Sequence, residues 1–284
     1  MNTEHRQEGT NLMSSPTSRP LALVTGASSG IGYELARQFA SNGFDLVVTA
    51  EDEGIEEAAD SIREPGTRVV AVRADLAEFA GVEELYARTT ALGRPLEAVA
   101  INAGVGVSGD FARDTDLTAE LKLIDLNVTS SVHLAKRVLA DMVGRGRGRV
   151  LFTSSIVASM PGSFQAVYAA SKAFLFSFSE ALREELKDTG VTVTALLPGP
   201  TDTDFFRRAD LLDTRVGAGR KDDPAQVAEQ GFKALMAGDD HVVAGSVKNK
   251  VQSAVTKVAP ETAKARMHRA MAEPGGAGEG RDDT

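Results

Sequence analysis

Seven short, almost continuous apolar runs punctuate the chain between residues 21 and 244, and helical patterns separate them. The runs are Leu21–Val24, Leu46–Thr49, Arg68–Val72, Ala98–Ile101, Arg149–Thr153, Val191–Leu197 and His241–Ala244. A strand with one face in water alternates apolar and polar residues. These do not, so both faces must be covered, which is the signature of a parallel sheet between helical layers. The intervening stretches carry helical apolar spacing over Ile31–Phe39, Ile55–Ile62, Val82–Leu92, Leu117–Val143, Tyr168–Lys187 and Pro224–Met236. Asp222 and Asp223 before Pro224 mark a helix start, and Gly43 marks a helix end. The alternation predicts an α/β fold, a doubly wound, mostly parallel Rossmann-type sheet in one domain over 20–245.

Composition narrows the chemistry. The chain has 284 residues, no cysteine and four histidines, at 5, 133, 241 and 268. That leaves no disulfide, no thiolate nucleophile and no His/Cys ligand spacing, so no metal site is expected. The net charge of −9 argues against a nucleic-acid partner. Nothing approaches the roughly 18 apolar residues of a membrane span, and the polar N-terminus lacks the apolar core of a signal peptide. A cytoplasmic protein is expected. Residues 1–19 and 274–284 read as disordered tails. Between them, 246–273 read as a basic amphipathic helical extension. Its stretch 247–272 holds six Lys or Arg against one acid, Glu261, with Val247, Val251, Val255 and Val258 on one stripe. Such a helix docks on its own domain or a dimer partner, or rests on an anionic membrane surface.

The first strand runs into Thr25-Gly26-Ala27-Ser28-Ser29-Gly30-Ile31-Gly32. A glycine-rich turn between strand and helix offers backbone N–H groups and a helix dipole to an anion, so it is a candidate dinucleotide pyrophosphate site. Further on, Tyr168 and Lys172 stand four apart in a helical stretch, hence on one face, about 5–6 Å apart at Cβ. A free phenol has a pKa of about 10. A neighbouring ammonium lowers it toward the range where a base works at neutral pH.

The spacing G-x-x-x-G-x-G, with Thr in front, together with Y-x-x-x-K, resembles the short-chain dehydrogenase/reductase family in its short single-domain branch. The resemblance spans about residues 20–245. It implies a catalytic set of Asn127, Ser155, Tyr168 and Lys172, with Ser155 thirteen residues before the tyrosine. Tyr168 would be the general acid/base, Lys172 would lower its pKa and bond the nicotinamide ribose, Ser155 would polarise the substrate oxygen, and Asn127 would complete a proton relay. It implies cofactor contacts from Gly26, Ser28, Ser29, Gly30, Ile31 and Gly32, and from Asp75 and Leu76 near adenine. Asn102, Ala103 and Gly104 match the end of the family's N-N-A-G, with Ile101 in place of its first Asn. Pro198, Gly199, Thr201 and Thr203 fall in the segment that meets the nicotinamide, and the residues after Thr203 would form a lid.

The resemblance implies an NAD(P)-dependent oxidoreductase that interconverts a carbonyl and a secondary alcohol. In the family, NAD enzymes usually carry Asp where Ala50 stands here and NADP enzymes usually carry Arg where Glu51 stands, so neither mark is present; Glu51 and Asp52 would repel a 2′-phosphate, which tilts the cofactor expectation to NAD over NADP. Arg73 is the alternative cation. The partner is a small carbonyl or alcohol substrate, and the family suggests a homodimer or homotetramer. Two other readings stay open: a non-catalytic dinucleotide sensor on the same fold, or a nucleotide-sugar epimerase or dehydratase. Against the latter, only about 40 residues follow the seventh strand.

Overall fold

Each apolar run is a strand: β1 (Leu21–Thr25), β2 (Asp45–Ala50), β3 (Val69–Arg73), β4 (Leu96–Ile101), β5 (Gly148–Thr153), β6 (Val191–Pro198) and β7 (His241–Ala244). The computed structural model describes residues 19–246, 249 and 259–278. The strands form one parallel sheet in the order β3-β2-β1-β4-β5-β6-β7. The chain therefore starts mid-sheet, winds to one edge, returns across β1 and winds to the other. That reversal opens a crevice at the carboxyl ends of β1 and β4.

The helices are α1 (Gly30–Ser41), α2 (Gly54–Ile62), α3 (Phe79–Thr90), α4 (Leu117–Ile124), α5 (Ser130–Arg145), α6 (Ala166–Glu185), α7 (Phe205–Arg208), α8 (Arg215–Ala218), α9 (Pro224–Ala237) and α10 (Glu261–Ala272). Strand residues alternate between two separate cores. Ala22, Val24, Leu46 and Val48 meet α1, α2 and α9 through Phe39, Ile55, Ile62 and Phe232. Leu21, Leu23, Val47 and Val150 meet α3, α5 and α6 through Leu85, Leu134, Val138 and Leu175. This two-sided burial is why the strands read as unbroken apolar runs.

Two expectations need correction. The stretch 117–143 is not one helix. A π-helical turn, Asp125–Thr129, divides α4 from α5. An i→i+5 turn rotates the following residues relative to a regular helix, and it buries Leu126 and Asn127. The second correction concerns the tail after residue 273; the extension before it docks on its own domain, one of its expected forms. α10 starts after Pro260 and folds back on α8, burying Lys264, His268 and Ala272 against its own domain. Lys264 is neutralised there by Glu261 at 2.7 Å. This helix thus turns its buried face to the protein. Residues 274–278, expected as tail, are held as well: Gly275 N–H donates to Asp213 Oδ2 at 3.0 Å and Ala277 N–H to Asp213 O at 2.9 Å. Arg19, the last residue of the expected N-terminal tail, donates to Thr67 Oγ1 at 2.5 Å. The stripe Val247, Val251, Val255 and Val258 and residues 1–18 and 279–284 lie outside the described residues. No helix among the described residues is long and apolar enough to cross a membrane.

Candidate active site

The crevice at the switch point is a cleft of about 240 Å³ that collects residues from seven loops. Its floor is the bare backbone of the glycine turn. Gly26 (φ +67°) and Gly30 (φ +59°) sit in the left-handed region, where a side chain is costly. Gly32 has a different reason: a Cβ there would lie 2.0 Å from the Gly26 carbonyl oxygen. The loop leads into α1, whose first turn holds no acid and whose N-cap residue, Ser29, makes no side-chain capping bond. The first backbone N–H groups of a twelve-residue helix thus face the cleft with their dipole uncompensated, which fits a pyrophosphate.

Side-chain bonds tie the strand ends together. Thr25 Oγ1 accepts from the N–H groups of Asn102 and Ala103, both at 2.9 Å. Asn102 Nδ2 donates to Thr25 O at 3.1 Å, and Thr153 Oγ1 donates to Asn102 Oδ1 at 3.0 Å. One threonine and one asparagine thereby lock β1, β4 and β5 in register where the cleft opens. Ile101, the departure from the family's first Asn, is buried in the core below.

At one end of the cleft stand Glu51, Asp52, Asp75 and Leu76. Asp52 accepts from Ser28 Oγ at 2.8 Å and from Gly54 N–H at 3.0 Å. Lys122 reaches over from α4 to Glu51 (3.2 Å) and Asp75 (3.4 Å), and the Glu51 contact holds its ammonium above the usual lysine range. Arg73 is committed elsewhere, to the Glu51 carbonyl (3.1 Å) and Glu53 (3.0 Å). These carboxylates fit ribose hydroxyls.

The other end holds Ser155, Tyr168 and Lys172 beside Gly104, Pro198, Gly199, Thr201 and Thr203. Every expected cofactor-contacting residue lines this one cleft. Tyr168 and Lys172 share a face of α6, with Lys172 Nζ 5.7 Å from the tyrosine ring centre. Lys172 is 5% exposed and donates to Thr153 O at 3.0 Å. Its backbone carbonyl accepts from Ser154 Oγ at 2.7 Å. Ser154 thus anchors α6 to β5, while its neighbour Ser155 lines the cleft.

Asn127 lies behind the cleft, fully buried in the π-turn. Its amide exchanges both bonds with Val105, accepting from the N–H and donating to the carbonyl, each at 2.9 Å. It also donates to Ser171 Oγ at 3.0 Å. A Cβ on Gly104 would stand 3.0 Å from Asn127 Oδ1 and 3.2 Å from Lys172 Nζ. Asn127 thus braces the loop between β4 and α4 against α6.

Electrostatics differ from the sequence expectation in one respect. Burial pushes the Tyr168 phenol up to about 12, and a hydrogen bond from Ser155 lowers it only in part. Burial also pushes Lys172 down to about 8. The expected lowering of the phenol by the ammonium is outweighed, because desolvation penalises the charged form of both groups. Tyr168 therefore rests as a neutral phenol, ready to donate. Lys172 sits near its titration midpoint in mildly alkaline solution.

Among the lining residues that sequence reasoning missed are Gln165 from the turn before α6, and His268, Met271 and Ala272 from α10. They lie far along the chain from the glycine loop, and no motif marks them.

The sequence profile described as short chain dehydrogenase matches residues 20–211. The chain belongs to the short-chain dehydrogenase family. It is 32% identical over 217 residues to the oxidoreductase UcpA of Salmonella typhimurium, covering 75% of this chain and 79% of that protein. It is 32% identical over 180 residues to the NADP-dependent 3-hydroxy acid dehydrogenase YdfG of Salmonella typhi, covering 63% and 71%. A solved short-chain dehydrogenase from Sphingobium yanoikuyae, in complex with NADPH, superposes with a TM-score of 0.73 at 31% identity, covering 79% and 87%. The chain is an oxidoreductase of CH–OH and C=O groups that works with a nicotinamide dinucleotide. The sensor and epimerase readings are accordingly set aside.

The buried ammonium carries a testable cost. In the unfolded chain Lys172 titrates at about 10.4, and in the folded chain at about 8. Below pH 8 the folded protein must hold a desolvated charge. Between pH 8 and about 10.5 the folded form sheds the proton first, so this penalty is relieved as pH rises. Lys172→Met should therefore stabilise the protein by about 1–3 kcal/mol at pH 7, and the gain should vanish by about pH 10.5. Urea unfolding at both pH values checks this.

Proposed function

We propose that Tyr168 is the acid/base of a carbonyl–alcohol interconversion, supported by Ser155, Lys172 and Asn127. The single observation that carries this reading is the convergence of Ser155, Tyr168 and Lys172 in the cleft whose floor is the glycine turn. The bound dinucleotide supplies the hydride in reduction and accepts it in oxidation. In reduction, Tyr168 gives its hydroxyl proton to the carbonyl oxygen as that oxygen becomes an alcohol. In oxidation, it takes the proton back. Ser155 hydrogen-bonds the same oxygen and holds it against Tyr168. Lys172, when charged, stabilises the phenolate left by proton donation and bonds the ribose beside it. Asn127 positions Lys172 through Ser171 and the Val105 loop, and backs the proton relay.

NAD is the cofactor we assign. Glu51 and Asp52 line the ribose end, and a 2′-phosphate there meets two carboxylates. Lys122 is already shared between Glu51 and Asp75, and Arg73 is turned to Glu53. The cysteine-free composition suits the reducing cytoplasm.

The working form is a homo-oligomer. Leu117 (68% exposed), Leu121 (50% exposed), Ile124 and Val132 on α4 and α5, with Phe174 on α6, present apolar side chains to solvent. Adjacent exposed apolar groups of this kind suit a self-complementary contact between copies.

Tyr168→Phe should lower kcat by at least 100-fold, the usual share of a general acid. NADH affinity, read by fluorescence titration, should stay within about threefold; retention of more than a tenth of kcat would refute the assigned role. With the wild-type chain, kcat/KM should favour NADH over NADPH by about tenfold or more, an electrostatic discrimination of about 1.4 kcal/mol. A preference for NADPH overturns the NAD assignment. Leu121→Glu should reduce the mass measured by light scattering toward a single protomer.

A further inference from the structure

The segment that leaves β6 is held by a pair of side chains that the cleft itself does not contain. Pro198, Gly199, Pro200, Thr201 and Thr203 line the cleft, and Ser155 Oγ donates to the Pro198 carbonyl at 3.4 Å. Asp222, just ahead of α9, is stitched to this segment by its backbone. It forms a parallel bridge with Thr201. Its N–H donates to Pro200 O and its carbonyl accepts from Asp202 N–H, both at 2.8 Å. Its carboxylate turns to another part of the chain. Oδ1 accepts from Ser246 N–H at 3.1 Å, and Oδ2 accepts from Asn249 Nδ2 at 2.6 Å.

Asn249 Nδ2 also donates to the carbonyl of Ala244, the last residue of β7, at 3.1 Å. An amide NH2 has two hydrogens, and both are used here. The bond to the carboxylate is charge-assisted, about twice as strong as a neutral one. Asn249 is 4% exposed, and two glycines make room for the pair. A Cβ on Gly199 would stand 2.1 Å from Asn249 Nδ2 and 2.4 Å from its Cγ. A Cβ on Gly245 would stand 2.1 Å from Asp222 Oδ2, and Gly245 has φ +91°, where a side chain is costly. Asn249 therefore packs directly on the Gly199 backbone. The end of β7 and the end of β6 are tied together through one carboxylate and one amide.

We propose that Asp222 and Asn249 are positioning residues for the nicotinamide half of the cofactor. They set how far residues 198–201 stand into the cleft, and through that backbone they set the place of the nicotinamide ring beside Tyr168 and Ser155. Neither residue lines the cleft, so both act through the segment they hold. The adenine end, at Glu51, Asp75 and Leu76, is built without them. Loss of the pair should thus weaken one half of the dinucleotide and spare the other. Placement matters at this end, because an error of about 1 Å between reacting groups can lower a rate by about 100-fold. This inference rests on the assignment of residues 198–203 to the nicotinamide.

The test uses the full chain and pairs each cofactor with its fragment lacking nicotinamide: NADH with ADP-ribose, and NADPH with 2′-phospho-ADP-ribose. Calorimetry on the pair that the wild type binds more tightly should show the cofactor weakened about tenfold in Asn249→Ala, with the fragment unchanged within about twofold. Unchanged fragment affinity also shows that the variant is folded. Asp222→Asn keeps one acceptor oxygen and should fall between wild type and Asp222→Ala. Nicotinamide fluorescence is a second readout: the emission of bound reduced cofactor should move toward that of the free form in Asn249→Ala. Should Asn249→Ala bind neither ligand, Asp222→Asn carries the test. Equal loss of cofactor and fragment in Asp222→Asn overturns the proposal and makes the pair a brace of the whole fold. Wild-type affinity and emission in the Asn249 and Asp222 variants overturn it as well. Gly199→Ala, which pushes the segment itself off Asn249, separates this outcome from a failure of the underlying assignment. Selective loss of cofactor in Gly199→Ala alone overturns the clamp and leaves the segment at the nicotinamide; no selective loss there overturns the placement of residues 198–203 too.

Discussion

The bond from Lys172 Nζ to the Thr153 carbonyl joins α6 to the sheet. It places a lysine ammonium where water is excluded, at the carboxyl end of β5, and everything around it is arranged to hold it there. Thr153 is itself bonded to Asn102, which is bonded to Thr25. Three strands and one helix thus meet in a single chain of side-chain and carbonyl contacts. A charge so placed raises the energy of the folded state, and the two-sided apolar core offsets that cost. The protein stays folded because Phe39, Leu85, Phe152 and their neighbours are sealed from water on both faces of the sheet.

The same burial shapes the chemistry. A phenol beside an ammonium in water would be acidified, but here desolvation raises one group and lowers the other. The two shifts have opposite consequences for direction. A phenol held protonated favours donation to a carbonyl oxygen, whereas oxidation of an alcohol requires the phenolate and thus the charged form of Lys172 at the same moment.

Much of this was legible in the residues. Unbroken apolar runs announced a covered parallel sheet because every strand position faces a helix layer. The glycine turn was legible because its spacing leaves backbone where side chains would otherwise stand. What stayed hidden has physical causes. A π-turn inserts no special residue, so Asp125–Thr129 looked like ordinary helix, and Asn127 looked like a polar residue on a long one. The upward shift of Tyr168 depends on burial by distant segments, which local spacing does not encode. Gln165, His268 and Met271 come together only because α10 returns over the site, roughly a hundred residues after the turn it clamps.

That returning helix separates two tasks along the chain. The glycine loop, the strand ends and the face of α6 that carries Tyr168 and Lys172 lie early in the chain. Part of the wall of the cleft comes from the last stretch of the described chain, stitched on by His268, Arg269 and Asp213. Substrate scope can therefore drift by changes in a dozen terminal residues without disturbing hydride chemistry. A natural lineage, or a laboratory one, has a peripheral dial to turn while the engine is left alone.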